Sequence, residues 1–157
     1  MATSTFATSA ISAKFFCDRR LPGLFAAGTR IALTRYMSEI ISFRDLVAWQ
    51  RAMDLADLAY DVTDDFPARE NLGLAFQIRK SAVSIPSNIA VGNRRRTPGY
   101  LYHLEIALGS QAELETQCEL AFRRHFVAGS RRRHLEELIA EVGRVTHGLA
   151  RSLDPTL

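Results

Sequence analysis

The chain has 157 residues and a mass of 17.5 kDa, is 47% apolar, and carries 20 Lys and Arg against 17 Asp and Glu, the make-up of one domain that folds around one core without a disulfide or metal staple. Charges interrupt every apolar run, which excludes a membrane-spanning protein, and two cysteines, Cys17 and Cys118, are too few for a disulfide framework and fit a reducing, cytoplasmic setting. Residues 1–37 hold a net +4 and residues 38–157 a net −1, so any case for an anionic polymer as partner rests on where the arginines cluster.

Residues 1–41 are rich in Ser, Thr and Ala, nearly free of acid, and hold no apolar pattern beyond a turn or two. They are expected to be a disordered extension. Three readings stand open there: a mis-called start with translation from Met37, an unstructured tail, and an organellar transit peptide.

From Ser42 to residue 154 the pattern is helical. Ser42 and Asp45 resemble a capping box, and Leu46, Trp49, Met53, Ala56, Tyr60 and Thr63 recur at spacings of three and four as the inner face of a first helix. Ala48, Ala52, Leu55, Ala59 and Val62 widen that stripe toward further neighbours. Asp64-Asp65-Phe66-Pro67 ends it. A second helix is expected from near Glu70, with Ala75, Ile78, Ala82, Ile85 and Ile89 inward and a kink or short break at Pro86.

Thr97-Pro98 predicts the start of a third helix, the hydroxyl as cap and the proline at the first helical position. Leu104, Ala107, Gln111, Leu114, Cys118 and Ala121 face inward, Gly129 is the expected stop, and Ser130 the expected cap of a fourth helix carrying Leu135, Leu138, Val142, Val145, Leu149 and Leu153. No segment alternates with period two. The fold class is therefore all-α: an antiparallel up-down-up-down four-helix bundle.

No catalytic residue, cofactor site or metal site emerges from the motifs. The four histidines lack the Glu-x-x-His and His-Glu-x-x-His spacings, and neither a phosphate loop nor a nucleophile elbow is present. Cys118 reads as a small core residue. Arginine stands out instead. Arg94-Arg95-Arg96 occupies the second turn, Arg79-Lys80 lies about four helical turns earlier, and Arg123-Arg124 with Arg131-Arg132-Arg133 brackets the third turn, where Asp61, Asp64 and Asp65 are expected to answer part of the charge. Arg79, Lys80, Arg94, Arg95 and Arg96 are the candidate nucleic-acid-binding residues. Two other readings stay open for them: a solvated set of cations complementing helix C-termini, and a contact for a protein partner.

Phe66-Pro67, Gln77-Ile78-Arg79-Lys80-Ser81-Ala82, Ser84-Ile85-Pro86-Ser87-Asn88-Ile89-Ala90, Gly92, Ala107-Leu108-Gly109-Ser110 and Glu113-Leu114 together resemble the bacterial four-helix-bundle family of proteins encoded in intervening sequences of large-subunit ribosomal RNA genes. More distantly they resemble accessory proteins of diversity-generating retroelements. The resemblance covers about residues 43–153. It implies a ring-like homopentamer and, by the retroelement branch, a basic surface that contacts RNA or DNA and a reverse transcriptase or other nucleoprotein, and it brings no catalytic residue. One departure is Val91, where the family pattern has an acidic residue. The expected function is a non-enzymatic oligomeric bundle that binds nucleic acid or a nucleoprotein partner through arginine-rich turns. The alternative is a structural protein-interaction module with no nucleic-acid binding, and a third is an enzyme with a site between subunits.

Overall fold

The computed structural model describes residues 42–157, so the expectations for residues 1–41, including a start at Met37, lie outside the described residues. Four helices make up the described chain: α1 (Val47–Thr63), α2 (Leu74–Asn93), α3 (Thr97–Arg123) and α4 (Gly129–Leu153), with single 3-10 turns at Phe43–Asp45 and Ala68–Glu70. No strand occurs among the described residues. Each helix packs on two neighbours, α1 on α2 and α4, and α3 on α2 and α4, while the diagonal pairs stay apart. Cross-helix pairs fix the direction. Ser81 meets Glu113, Ser84 meets Ser110 and Asn88 meets His103, so α2 and α3 are antiparallel. Arg51 with Glu141 and Arg131 with Asp65 show the same for α1 and α4. This is the up-down-up-down bundle that the periodicity implies.

The core is one cluster through all four helices, with Leu55, Ile78, Ile85, Ile89, Leu104, Leu114, Leu135 and Val142 almost fully buried. Each such Leu or Ile stabilises the fold by roughly 1.5–3 kcal/mol relative to exposure. On α1 the buried face is only partly the one expected: Leu46, Ala56 and Thr63 are buried, but Trp49, Met53 and Tyr60 are not. Ala48, Ala52, Leu55, Ala59 and Val62 face the core, whereas Met53 and Tyr60 are 38% and 45% exposed and Trp49 is half-buried against the Phe43 ring, 5.2 Å away. Both stripes have helical spacing, and the alanine stripe wins because small side chains let α2 and α4 approach α1 closely.

Several local expectations also change. The Ser42–Asp45 capping box forms, but on the 3-10 turn, and α1 starts only after Leu46. Pro86 does not break α2, which runs unbroken from Leu74 and not from Glu70. Asn88 Nδ2 donates to the Ser84 carbonyl at 2.9 Å and the Ser87 hydroxyl to the Val83 carbonyl at 2.8 Å, so side chains hold the carbonyls beside the missing donor. Thr97 does not cap α3. Arg96 is the N-cap and makes no side-chain bond, with Pro98 just inside the first turn. The stop of α3 is His125 at φ 59°, with Phe126 N–H donating to Ala121 and His125 N–H to Phe122, both at 3.0 Å; this is a Schellman closure with histidine in the position glycine usually takes. Gly129, φ 62°, instead opens α4, and Ser130 makes no cap.

Candidate nucleic-acid interface

In an up-down bundle the α2–α3 turn shares one pole with the start of α1 and the end of α4. Arg94 closes α2 at φ −89° and ψ 1°, its N–H near the Val91 and Gly92 carbonyls, and Arg96 opens α3. A turn of only three residues is held by close packing behind it. A Cβ on Gly92 would lie 2.6 Å from Tyr100 Cδ2 and 3.0 Å from His103 Cβ, so only glycine admits the Tyr100 ring against α2. Tyr100 is itself buried, which pushes its hydroxyl above the usual tyrosine value, with the Asn93 side chain opposing. That hydroxyl lies near Asn93 without a well-formed hydrogen bond. Behind the turn a polar seam joins the two helices: His103 Nδ1 to Asn88 Oδ1 at 3.1 Å, Asn88 to Ser84, and Ser84 to Ser110 at 2.8 Å.

Arg94, Arg95 and Arg96 are exposed and form no ion pair among the described residues. Two carboxylates of this pole, Asp45 and Asp154, are engaged locally. Asp45 accepts from the Ser42 N–H at 3.0 Å and Asp154 from the Thr156 N–H at 2.9 Å, and the Thr156 contacts hold the Asp154 carboxyl below its usual value. A fourth arginine, Arg44, joins the pole through the 3-10 turn, exposed and unpaired among the described residues, its guanidinium 4.6 Å from the Phe43 ring centre. Sequence reading missed it. The up-down topology, which returns the start of α1 to the α2–α3 turn, was the available signal.

Arg79 and Lys80 are not brought to this turn. They lie 15 and 14 residues before Arg94 on α2, about 22 Å along the axis for Arg79. Arg79 is also committed within the fold. Its Nε donates to Thr63 Oγ1 and its Nη2 to Asp64 Oδ1, both at 2.7 Å, and its guanidinium lies 4.9 Å from the Tyr60 ring centre. It latches α2 onto the end of α1. Lys80 is exposed on α2, without an ion pair among the described residues.

The opposite pole is electrostatically different. Arg131 pairs with Asp65, Arg123 with Glu119 at 2.7 Å, and Arg132 with Glu136 at 2.9 Å while lying 4.5 Å from the Phe122 ring centre. The expected acidic answer comes from Asp65, and Asp64 serves Arg79 instead. Phe66 and Phe126, ring centres 5.2 Å apart, tie the two connections of this pole together. Arg124 and Arg133 are its unpaired arginines among the described residues.

Cys118 is buried in α3, and burial together with the Glu115 charge pushes its thiol up to about 12; it remains a protonated core residue and not a nucleophile. Among the described residues no group of three or more His, Cys, Asp or Glu is placed to hold a metal, and no helix is long and apolar enough to cross a membrane. Gly109 does not serve a close helix contact within the subunit, since a Cβ there would meet nothing within 4 Å. Val91 is exposed on α2, three residues before the arginine turn.

A family model described as 23S rRNA-intervening sequence protein matches residues 44–148, which span all of α1, α2 and α3 and most of α4. No curated protein matches the chain.

Proposed function

Since the chain belongs to the 23S rRNA-intervening sequence protein family, we propose that it is a non-enzymatic, oligomeric helical bundle that binds the phosphate backbone of nucleic acid through the Arg94–Arg96 turn, alone or within a nucleoprotein. One observation carries the reading: three consecutive arginines, joined at the same pole by Arg44, have no ion-pair partner among the described residues, while Asp45 and Asp154 bond to nearby backbone. Like charges held together on a short turn repel one another, and a polyanion relieves that repulsion while releasing its own counterions. The N-terminus of α3 adds to the attraction, because it has no side-chain cap and no acidic residue in its first turn.

Assembly would strengthen the effect. Met53 and Tyr60 on α1 and Phe76 and Val83 on α2 are large apolar residues left 38–50% exposed, a stripe suited to another copy of this chain. A ring of copies presents several arginine turns on one face, and weak phosphate contacts then act together. The family is named for a ribosomal RNA gene, so RNA is the first polymer to test. Gel shifts of single-stranded and duplex RNA and DNA across a salt series should show binding at low salt that weakens steeply as salt rises. No shift of any of the four at low salt and micromolar protein would refute the reading in favour of a purely structural module.

A further inference from the structure

The outer seam between α3 and α4, at the pole of the arginine turn, holds an open groove of about 470 Å³. Leu101, Leu108 and Leu157 make its apolar wall, and Glu105, His147 and Arg151 line the rest. The turn at Asp154–Leu157 brings Leu157 back onto the groove: the Leu157 N–H donates to the Asp154 carbonyl at 3.3 Å, and the Thr156 hydroxyl to the Asp154 carboxylate at 2.7 Å. Glu105 and Arg151 are opposite charges on facing helices, yet they do not pair with each other or with any other described residue. Leu101 follows Arg96 by about 7.5 Å along α3, and Glu105 by about 13.5 Å. The groove thus begins within two helical turns of the arginine turn along α3.

We propose that this groove takes one unpaired guanine of a single-stranded nucleic acid whose phosphates lie on Arg94–Arg96, an inference that rests on the nucleic-acid reading above. The leucines receive the face of the base. The Glu105 carboxylate, which only accepts, takes the two parallel donors N1–H and N2–H of the guanine Watson–Crick edge. No other standard base offers that pair: adenine and cytosine present a ring-nitrogen acceptor beside one amine, and uracil one donor between two carbonyls. Arg151 and His147, four residues apart on one face of α4, reach the flanking phosphate. A carboxylate at a basic pole repels phosphate in general, so its place in this groove selects for the base it can bond.

Fluorescent U-rich RNA decamers differing only in one central G, A, C or U should be compared by anisotropy at fixed salt. Wild type should bind the G decamer about tenfold more tightly than the others, the scale of one bidentate base contact. Glu105→Gln should cut that preference below twofold by tightening binding of the A, C and U decamers or weakening that of the G decamer, without loss of all-U binding, since it removes a charge that repels phosphate and Glu105 is exposed, so its loss does not disturb the core. Equal affinities in wild type, or a G preference that survives Glu105→Gln, would overturn the guanine site. In either case, loss of all-U binding in an Arg94→Ala, Arg95→Ala, Arg96→Ala chain would still uphold the phosphate reading. Absence of binding by every decamer would remove both.

Discussion

Changing Gly92 and Gly109 separately to alanine makes one chemical change in two helices and should move stability in opposite directions. At Gly92 the new methyl would lie 2.6 Å from Tyr100 Cδ2 and 3.0 Å from His103 Cβ. Tyr100 is only 7% exposed, so its ring has little room to swing aside, and overpacking of this kind costs roughly 1–3 kcal/mol. The helix preference of alanine over glycine offsets at most about 1 kcal/mol of that. A net loss of about 1 kcal/mol lowers Tm by about 4 °C in a domain of this size, and a less yielding ring lowers it further. At Gly109 the methyl meets nothing within 4 Å, so only the propensity gain remains and Tm should rise by about 4 °C. Melts followed by far-UV circular dichroism at matched concentration, with sedimentation to confirm equal assembly, read both. Gly92→Ala melting at or above wild type would show that Tyr100 is not packed against α2, and the account of how the arginine turn is held would fail. Gly109→Ala that melts lower and dissociates would place Gly109 between subunits.

Arg79→Ala should lower stability in chemical denaturation by about 1–2 kcal/mol, because it removes the bonds to Thr63 and Asp64, and should leave nucleic-acid affinity unchanged; a clear loss of affinity would return Arg79 to the phosphate-binding set. In a Cys17→Ser chain, Cys118 should resist alkylation at mildly alkaline pH until the protein is denatured, since its thiol is pushed up to about 12, and rapid labelling of the native protein would contradict its core placement. Sedimentation should find a species several times 17.5 kDa, five copies being the expected number, and Phe76→Glu or Val83→Glu should break it up. A stable wild-type monomer at micromolar concentration would contradict the assembly.

The helices were legible because each carries apolar residues at helical spacing for several turns, and Ile78, Ile85, Leu104 and Leu114 sit where that spacing puts them. Orientation was less so. On α1 two stripes fit the period equally, and the larger side chains of Met53 and Tyr60 outweighed the alanines in the reading, although small residues are what a close helix contact selects. The end of α3 was misplaced because Gly129 carries the usual stop signal, while His125 adopts a left-handed conformation that only the surrounding fold requires of a non-glycine residue.

For the candidate site, composition located the arginines but not their partners. Arg79 and Arg94 look alike in sequence. Which of them is free depends on Thr63 and Asp64 returning to α2 at one pole, and on Asp45 and Asp154 being engaged by their own neighbours at the other. Arg44 went unnoticed for the same reason, since its proximity to the turn is a property of topology. The Glu105–Arg151 groove joins residues 46 positions apart and leaves no local mark in the sequence.

The most direct test of nucleic-acid binding at the arginine turn is the slope of log affinity against log salt, measured for wild type and for two triple variants. Arg94→Ala, Arg95→Ala, Arg96→Ala should weaken binding to all sequences alike and flatten the slope by up to about 3 units, roughly one per lost phosphate contact, with little change in Tm. Arg131→Ala, Arg132→Ala, Arg133→Ala should flatten it less, because Asp65 and Glu136 already engage two of those arginines. Wild-type affinity and slope in the first variant, with binding lost in the second, would contradict the assignment and move the site to the opposite pole.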